Sequence, residues 1–503
     1  MSVKFVAKSK NTFCSKAFGW LMLLTLIIFL ASLVDREYLD SSSHQFIFLI
    51  GVVGTWRYSN NILHYIRGMY FLYWAFPRLR KLADKMGDQT LPSHIFMVVT
   101  SFRIPPETTY KVYQSIFQEL SSIPVPSTII ASIVEAGDEY FIKQIMREEI
   151  KDRPDITLVI VRARGTGKRD GLAHAFRALS RRAPAHDAVA CVVDGDTMML
   201  PGCVDKACRL FALLPNVGGM TTNEYCIVKG GRLLTSWHNM RFVQRHISMC
   251  SMSLSHQVLT LTGRLSFFRA SLMMDLDFIR DVEADYLQHW RLGKFQFLTG
   301  DDKSSWFSLK RAGWDTFYVP DSYTLTVEHP PSKYFLKATR QLMFRWYGNS
   351  LRQNFRAVKL LRKQLGLFTL YVLYDQRVSM WTSLFGLTVA LTASLLISIQ
   401  FLYIYFLWIL ITRSIVCMLF VFSKHPVDPL YPFALYYNQI IGSMMKINAV
   451  FHLDRQQWTR QKTTLNQNIS FDTKLNRWTS KITMLSAIAI FLCIVSLAID
   501  INK

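Results

Sequence analysis

Long apolar runs lie towards both ends of this chain, and a stretch patterned as alternating strands and helices lies between them. Residues 17–34 are almost uninterruptedly apolar over the roughly 20 residues that a membrane-crossing helix needs. Apolar runs return at residues 380–397, 401–422 and 482–499. A chain of 503 residues that is 50% hydrophobic is too apolar for an ordinary soluble protein, while its charged centre excludes a purely membrane-embedded one. A multi-pass membrane protein with a folded α/β domain between its membrane regions is therefore expected.

Charge orients this arrangement. Lys4, Lys8, Lys10 and Lys16 precede the first run without an acid, and the loop DREYLDSSSH follows it, which puts the N-terminus in the cytoplasm. A second crossing from Gln45 returns the chain, with Arg57, His64 and Arg67 at its polar end. The apolar stretch 431–453 is interrupted by Asn438, Gln439, Lys446 and Asn448, which favours a helix lying in the interface. Five crossings and a periplasmic C-terminus follow. The expected division is a membrane region of two helices at 1–76, a cytoplasmic α/β domain at 77–330, interfacial helices at 331–378 and a second membrane region at 379–503. The net charge of +23, placed beside apolar segments, fits membrane lipids and anionic substrates better than nucleic acid, and no nucleic-acid partner is expected. The eight cysteines form no CxxC pair and read as reduced packing residues.

Within the central domain, the runs HIFMVVT, STIIASIV, ITLVIV and AVACVV alternate with helix-like stretches starting near Glu107, Glu139 and Asp170. That order predicts a doubly wound sheet of parallel strands. Ligands bind beyond the carboxyl ends of such strands, which places Ser101, Glu135, Asp138, Asp194 and Asp196 at one crevice.

Asp194 and Asp196 flank Gly195 at a strand end, where the glycine lets the backbone pass close to a ligand. Their hard oxygens suit Mg²⁺ or Mn²⁺ shared with substrate phosphates; the alternative is a strand-end turn capped by aspartates. Gly165, Gly167, Lys168 and Arg169 precede a helix and suit a phosphate cradle, or a solvated basic loop capped by Asp170. Asp301 and Asp302 open a helix, either as an N-cap or as a catalytic base held away from the cation. Gln341 and Arg345 lie four apart on one helical face and Trp346 follows, in the pattern of an acceptor site or of interfacial anchors.

VDGDT, TGDDK, FRW and WTRQ resemble the processive membrane-bound family 2 glycosyltransferases that make hyaluronan, chitin and cellulose. RGTGKRDGLAHAFRA, FLTGDDKSSWFSL, FRWYGNSLRQN and DQRVSMWTSLFGLTVA resemble the mannuronan-polymerising branch of that family. The resemblance implies a GT-A-type domain in a bacterial inner-membrane protein, the donor GDP-mannuronate, and export of a growing β-1,4-mannuronan chain, the alginate precursor. It assigns Asp194 to the diphosphate side, Asp196 to the metal and Asp302 to the base with Asp301 beside it. Ser101, Glu135, Asp138 and Lys168 fall on the nucleotide side, and Glu135 or Asp138 matches the position that helps hold the nucleotide base. Gln341, Arg345 and Trp346 match the acceptor and donor motif, and Trp458, Thr459 and Arg460 the gating segment. A cyclic di-GMP-sensing co-polymerase subunit and a periplasmic and outer-membrane export complex are the implied partners. Two departures stand out: Leu342 occupies the position where the family has glutamine three before the arginine, and no glycine separates Trp458 from Thr459. The competing readings are another polysaccharide synthase of the same family, an enzyme adding single sugars to a lipid carrier, and a non-enzymatic transporter or membrane scaffold.

Overall fold

The computed structural model describes residues 12–35, 45–150, 153–360, 362–456 and 471–500. The four apolar runs of the central region form β1 (Ile95–Thr100), β2 (Ser127–Ile133), β3 (Ile156–Arg162) and β4 (Val189–Asp194). They pair in parallel in the order β3-β2-β1-β4. β1 and β2 are buried almost throughout, as expected of strands covered by helices on both faces. The helices Pro106–Ser121, Ala136–Glu149 and Lys168–Ser180 supply the crossovers.

Beyond β4 the sheet becomes mixed. It continues through β5 (Thr197–Met199), β6 (Val217–Val228), β7 (Leu265–Arg269) and β10 (Asp315–Glu328), giving the eight-stranded order β3-β2-β1-β4-β7-β6-β10-β5. β7 runs antiparallel to both β4 and β6, a feature that the parallel pattern of the first four strands does not announce. A separate hairpin, β8 (Tyr286–His289) and β9 (Gly293–Gln296), stands just before the Gly300-Asp301-Asp302 loop.

Three described helices are long and apolar enough to cross a membrane: Leu367–Leu396, Gln400–Ser423 and Leu475–Leu497. The run expected as the first crossing gives a shorter apolar helix, Lys16–Ser32. The segment expected as the second crossing is the helix Gln45–Tyr70, whose Arg57, His64 and Arg67 are engaged by protein. Arg57 pairs with Asp375, His64 Nδ1 lies 3.0 Å from Ser251 Oγ, and Arg67 Nη2 donates to Ser251 O at 3.2 Å. The stretch expected at the interface is the helix Tyr431–Phe451. Its Asn438 accepts a hydrogen bond from Trp237 Nε1 at 3.3 Å, and Gln439 donates to Ser383 O at 3.1 Å while accepting from Arg413. Asn438 and Gln439 thus bind neighbouring helices of the chain. Of the cysteines, Cys191, Cys203, Cys208, Cys250 and Cys417 are buried free thiols.

Candidate active site

The two acidic motifs lie a hundred residues apart in the chain and meet in the fold. Asp194 ends β4, and Asp301 opens the helix Asp301–Arg311. Lys168, at the start of the helix after β3, donates to Asp194 Oδ1 at 2.6 Å and to Asp301 Oδ2 at 2.8 Å. The three side chains are 16–28% exposed, so they are enclosed yet reached by solvent. Burial pushes the Asp194 carboxyl up to about 6, with Asp196 and Asp301 adding to this against the pull of Lys168. Burial also pushes Asp301 up, but Lys168 and Arg169 outweigh it and hold Asp301 below the ordinary range. Lys168 is correspondingly held charged: burial would lower it, and the two carboxylates raise it further than burial depresses it.

Asp302 follows Asp301 in the same first turn. Burial is the largest influence on it and raises its pKa, with Asp301 reinforcing and Lys303 and Lys168 opposing. Burial lowers Lys303 to about 8 despite the Asp302 carboxylate. The N-cap of the helix is Gly300, at φ 87°, and no side chain caps it. The alternative that the aspartates serve as the cap therefore fails on geometry. They occupy the first turn, where the helix dipole favours negative charge.

Two glycines shape the cleft. A Cβ on Gly195 would stand 2.7 Å from Thr100 O and 2.8 Å from Ser101 Oγ. The absent side chain at Gly195 thus lets the turn pass close to the end of β1. The second is Gly263, where a Cβ would lie 3.0 Å from Lys168 Nζ and 3.3 Å from Asp194 Oδ2. Sequence reasoning missed it, because nothing in Thr262-Gly263-Arg264 marks that glycine until the fold places β7 beside β4.

The other expected site residues separate into groups. Ser101 is buried directly after β1 and lies against Gly195. Asp196 lies in the turn between β4 and β5. Glu135 is exposed before the helix Ala136–Glu149, with Arg103 Nε 3.9 Å from its carboxylate. Asp138 sits in the first turn of that helix, and burial raises its pKa with help from Glu135. Gly165 and Gly167 adopt φ of 77° and 155°, so the loop before Lys168 takes conformations that favour glycine. Arg169 is not available to a phosphate: it is buried and donates to Val282 O at 2.8 Å, Thr299 O at 3.1 Å and Ser304 Oγ at 3.1 Å. Its bonds to Thr299 and Ser304 hold the chain on either side of Asp301 and Asp302.

Gln341, Arg345 and Trp346 share the helix Phe335–Ala357. Trp346 stacks on Trp237 with centroids 5.9 Å apart, and the Arg241 guanidinium lies 4.4 Å from its ring centroid. Among the described residues, Gln341 Oε1 is buried without a hydrogen-bond donor. Asn349, one turn past Arg345, accepts from Thr299 Oγ1 at 2.8 Å and ties this helix to the loop that precedes Asp301. Beside the cleft, buried Glu224 pairs with Arg245 at 3.2 Å and with Arg264, which also reaches Glu328. No spacing in the sequence points to this four-residue network. Trp458, Thr459 and Arg460 lie outside the described residues.

A strand-end Asp-Gly-Asp turn and a helix-opening Asp-Asp pair thus meet at one lysine. The model of the glycosyltransferase like family 2 matches residues 92–349, which span both acidic motifs and the Arg345-Trp346 pair. The chain belongs to glycosyltransferase family 2 and is a glycosyltransferase. It is 53% identical over 481 residues to glycosyltransferase alg8 of Pseudomonas syringae pv. tomato, covering 95% of this chain and 97% of that protein. It is 52% identical over 487 residues to glycosyltransferase alg8 of Azotobacter vinelandii, covering 96% and 98%. Among solved structures, a mannosyltransferase from Pyrobaculum calidifontis in complex with GDP-Man and Mn²⁺ aligns at 14% identity and a TM-score of 0.44, covering 76% of this chain and 98% of that one.

Proposed function

We propose that this enzyme transfers mannuronate, with inversion, from GDP-mannuronate to the 4-hydroxyl of a growing β-1,4-mannuronan chain during alginate synthesis. The observation that carries this is the Lys168 bridge, which gathers the strand-end Asp194 and the helix-opening Asp301 into one solvent-reached cleft with Asp302 alongside. The near full-length similarity to the two alg8 glycosyltransferases supports the alginate reading.

In this reading Asp302 takes the proton of the acceptor hydroxyl. Its burial raises its affinity for that proton, which suits a base. Lys168 lies on the donor side and neutralises phosphate charge, and Arg345 assists departure of GDP. Asp194 and Asp196 present hard oxygens from one turn. Among the described residues no cluster of three or more His, Cys, Asp or Glu is built to hold a metal by itself. That donor set fits Mg²⁺ or Mn²⁺, which bind through one or two carboxylates and complete their shell with water and substrate phosphates. Such an ion, held mainly by Asp196, supplies charge stabilisation to the leaving diphosphate. Ser101, Glu135 and Asp138 serve the nucleotide, Gln341 and Trp346 the acceptor side, and Trp458, Thr459 and Arg460 a gating segment.

The catalytic domain then faces the cytoplasm of a bacterial inner-membrane protein, and the membrane helices export the polymer. A cyclic di-GMP-sensing co-polymerase and an envelope export complex complete the machine. Incubating membranes that contain the protein with GDP-mannuronate and sizing the product tests the proposal. Long β-1,4-mannuronan is expected; a single sugar on a lipid carrier, or no transfer at all, refutes it.

A further inference from the structure

The loop leading into Asp301 and Asp302 is held from three sides, and one tie comes from the far C-terminal part of the chain. Arg169 holds Thr299 O from the helix after β3. Asn349 holds Thr299 Oγ1 from the helix of Trp346. The third tie is Gln456, buried five residues past the helix Tyr431–Phe451. Its Oε1 accepts from Leu298 N at 2.9 Å, and its Nε2 donates to Gln296 O at 2.7 Å. One side-chain amide thus pairs with the backbone on both sides of Phe297, as a neighbouring strand would. The same C-terminal stretch is tied twice more. Arg352 Nη1 donates to Leu453 O at 3.0 Å while Nη2 reaches Asn349, and Arg291 Nη2 donates to Phe451 O at 2.9 Å.

We infer that Gln456 is a positioning residue for Asp302: its bidentate amide fixes β9 and the following loop, and so sets where the base stands in the cleft. This rests on the reading of Asp302 as the base. Both hydrogen bonds of the Gln456 amide go to backbone, and the nearer of them lies four residues upstream of Asp302. The amide is specific to the task. Glutamate lacks the donor for Gln296 O, and alanine removes both bonds. A base displaced by a fraction of an ångström loses its reach to the acceptor hydroxyl, while Asp194, bonded to Lys168 at the end of β4, keeps its place.

The test is steady-state transfer from GDP-mannuronate by the full chain in membranes, with GDP binding and thermal unfolding measured in parallel. Gln456→Ala and Gln456→Glu are expected to lower kcat by about tenfold or more with KM for the donor changed by less than about twofold. Thr299→Val removes the Asn349 tie to the same loop. Its combination with Gln456→Ala is expected to cost less than the product of the single effects, because both free one segment. Wild-type kcat in both Gln456 variants overturns the inference. So does a joint loss of GDP binding and unfolding temperature, which marks a merely structural role. Asp302→Asn distinguishes the two levels: polymer from that variant sinks the base reading itself, whereas an inactive Asp302→Asn beside fully active Gln456 variants sinks this inference alone.

Discussion

Replacing Lys168 by methionine removes the cation that bridges Asp194 and Asp301 while keeping a long side chain in place. Both carboxylate oxygens lie within 2.8 Å of the same nitrogen, so they stand about 5 Å apart or closer. At an effective dielectric of about 20, two unit charges at that distance repel by roughly 3 kcal/mol, and the partial exposure of the cleft reduces this to about 1–3 kcal/mol. Repulsion of that size favours protonation of one carboxyl by roughly 5- to 150-fold. Asp194, already raised to about 6, is the group that takes up the proton. The sign is definite. Losing a cation raises a carboxyl pKa, so the ionised pair forms only at higher pH, and the acid limb of the activity profile moves up. The assay is the pH dependence of transfer from GDP-mannuronate, with GDP affinity measured at the same pH values. Wild-type activity is expected to fall as the pH drops through about 6, and the Lys168→Met variant to need a distinctly more alkaline medium for its residual activity. An unshifted acid limb together with unchanged GDP affinity refutes the claim that Lys168 sets the electrostatics of this cleft.

Asp302→Asn keeps the volume of the side chain, and since Gly300 is the N-cap no capping bond is lost. A folded, membrane-inserted protein that binds GDP-mannuronate and makes no polymer is expected, and near-normal polymer in a product-sizing assay sends the search for the base elsewhere. Asp196→Asn is expected to cut turnover sharply. Chelator is expected to silence the wild type, and added Mg²⁺ or Mn²⁺ to restore it; full turnover in excess chelator removes the cation from the mechanism.

β1, β2 and β4 were legible because they are buried on both faces and therefore appear as unbroken apolar runs, and the half-buried edge strand β3 was legible from its run of β-branched residues. The antiparallel strand β7, which inserts between β4 and β6, was not legible, since the short run LSFFR carries no period that gives its partners or direction. The site follows the same division. Asp194, Asp301 and Asp302 stand in short motifs with their own local logic, whereas Gly263 means something only once β7 has been placed. That makes Gly263 a direct test of the packing argument. A methyl group there would press on Lys168 Nζ at 3.0 Å and on Asp194 Oδ2 at 3.3 Å, both mobile ends of side chains and neither of them backbone. The fold can therefore yield, and the stability cost of Gly263→Ala is expected to stay within about 1 kcal/mol. The lysine bridge must give way by a few tenths of an ångström, so donor-side chemistry bears the cost: turnover is expected to drop by about tenfold or more. Thermal unfolding and transfer rate measured on one preparation settle it. Loss of stability with normal turnover per folded molecule means that Gly263 is a packing residue, and that the contact with Lys168 and Asp194 has no part in the chemistry.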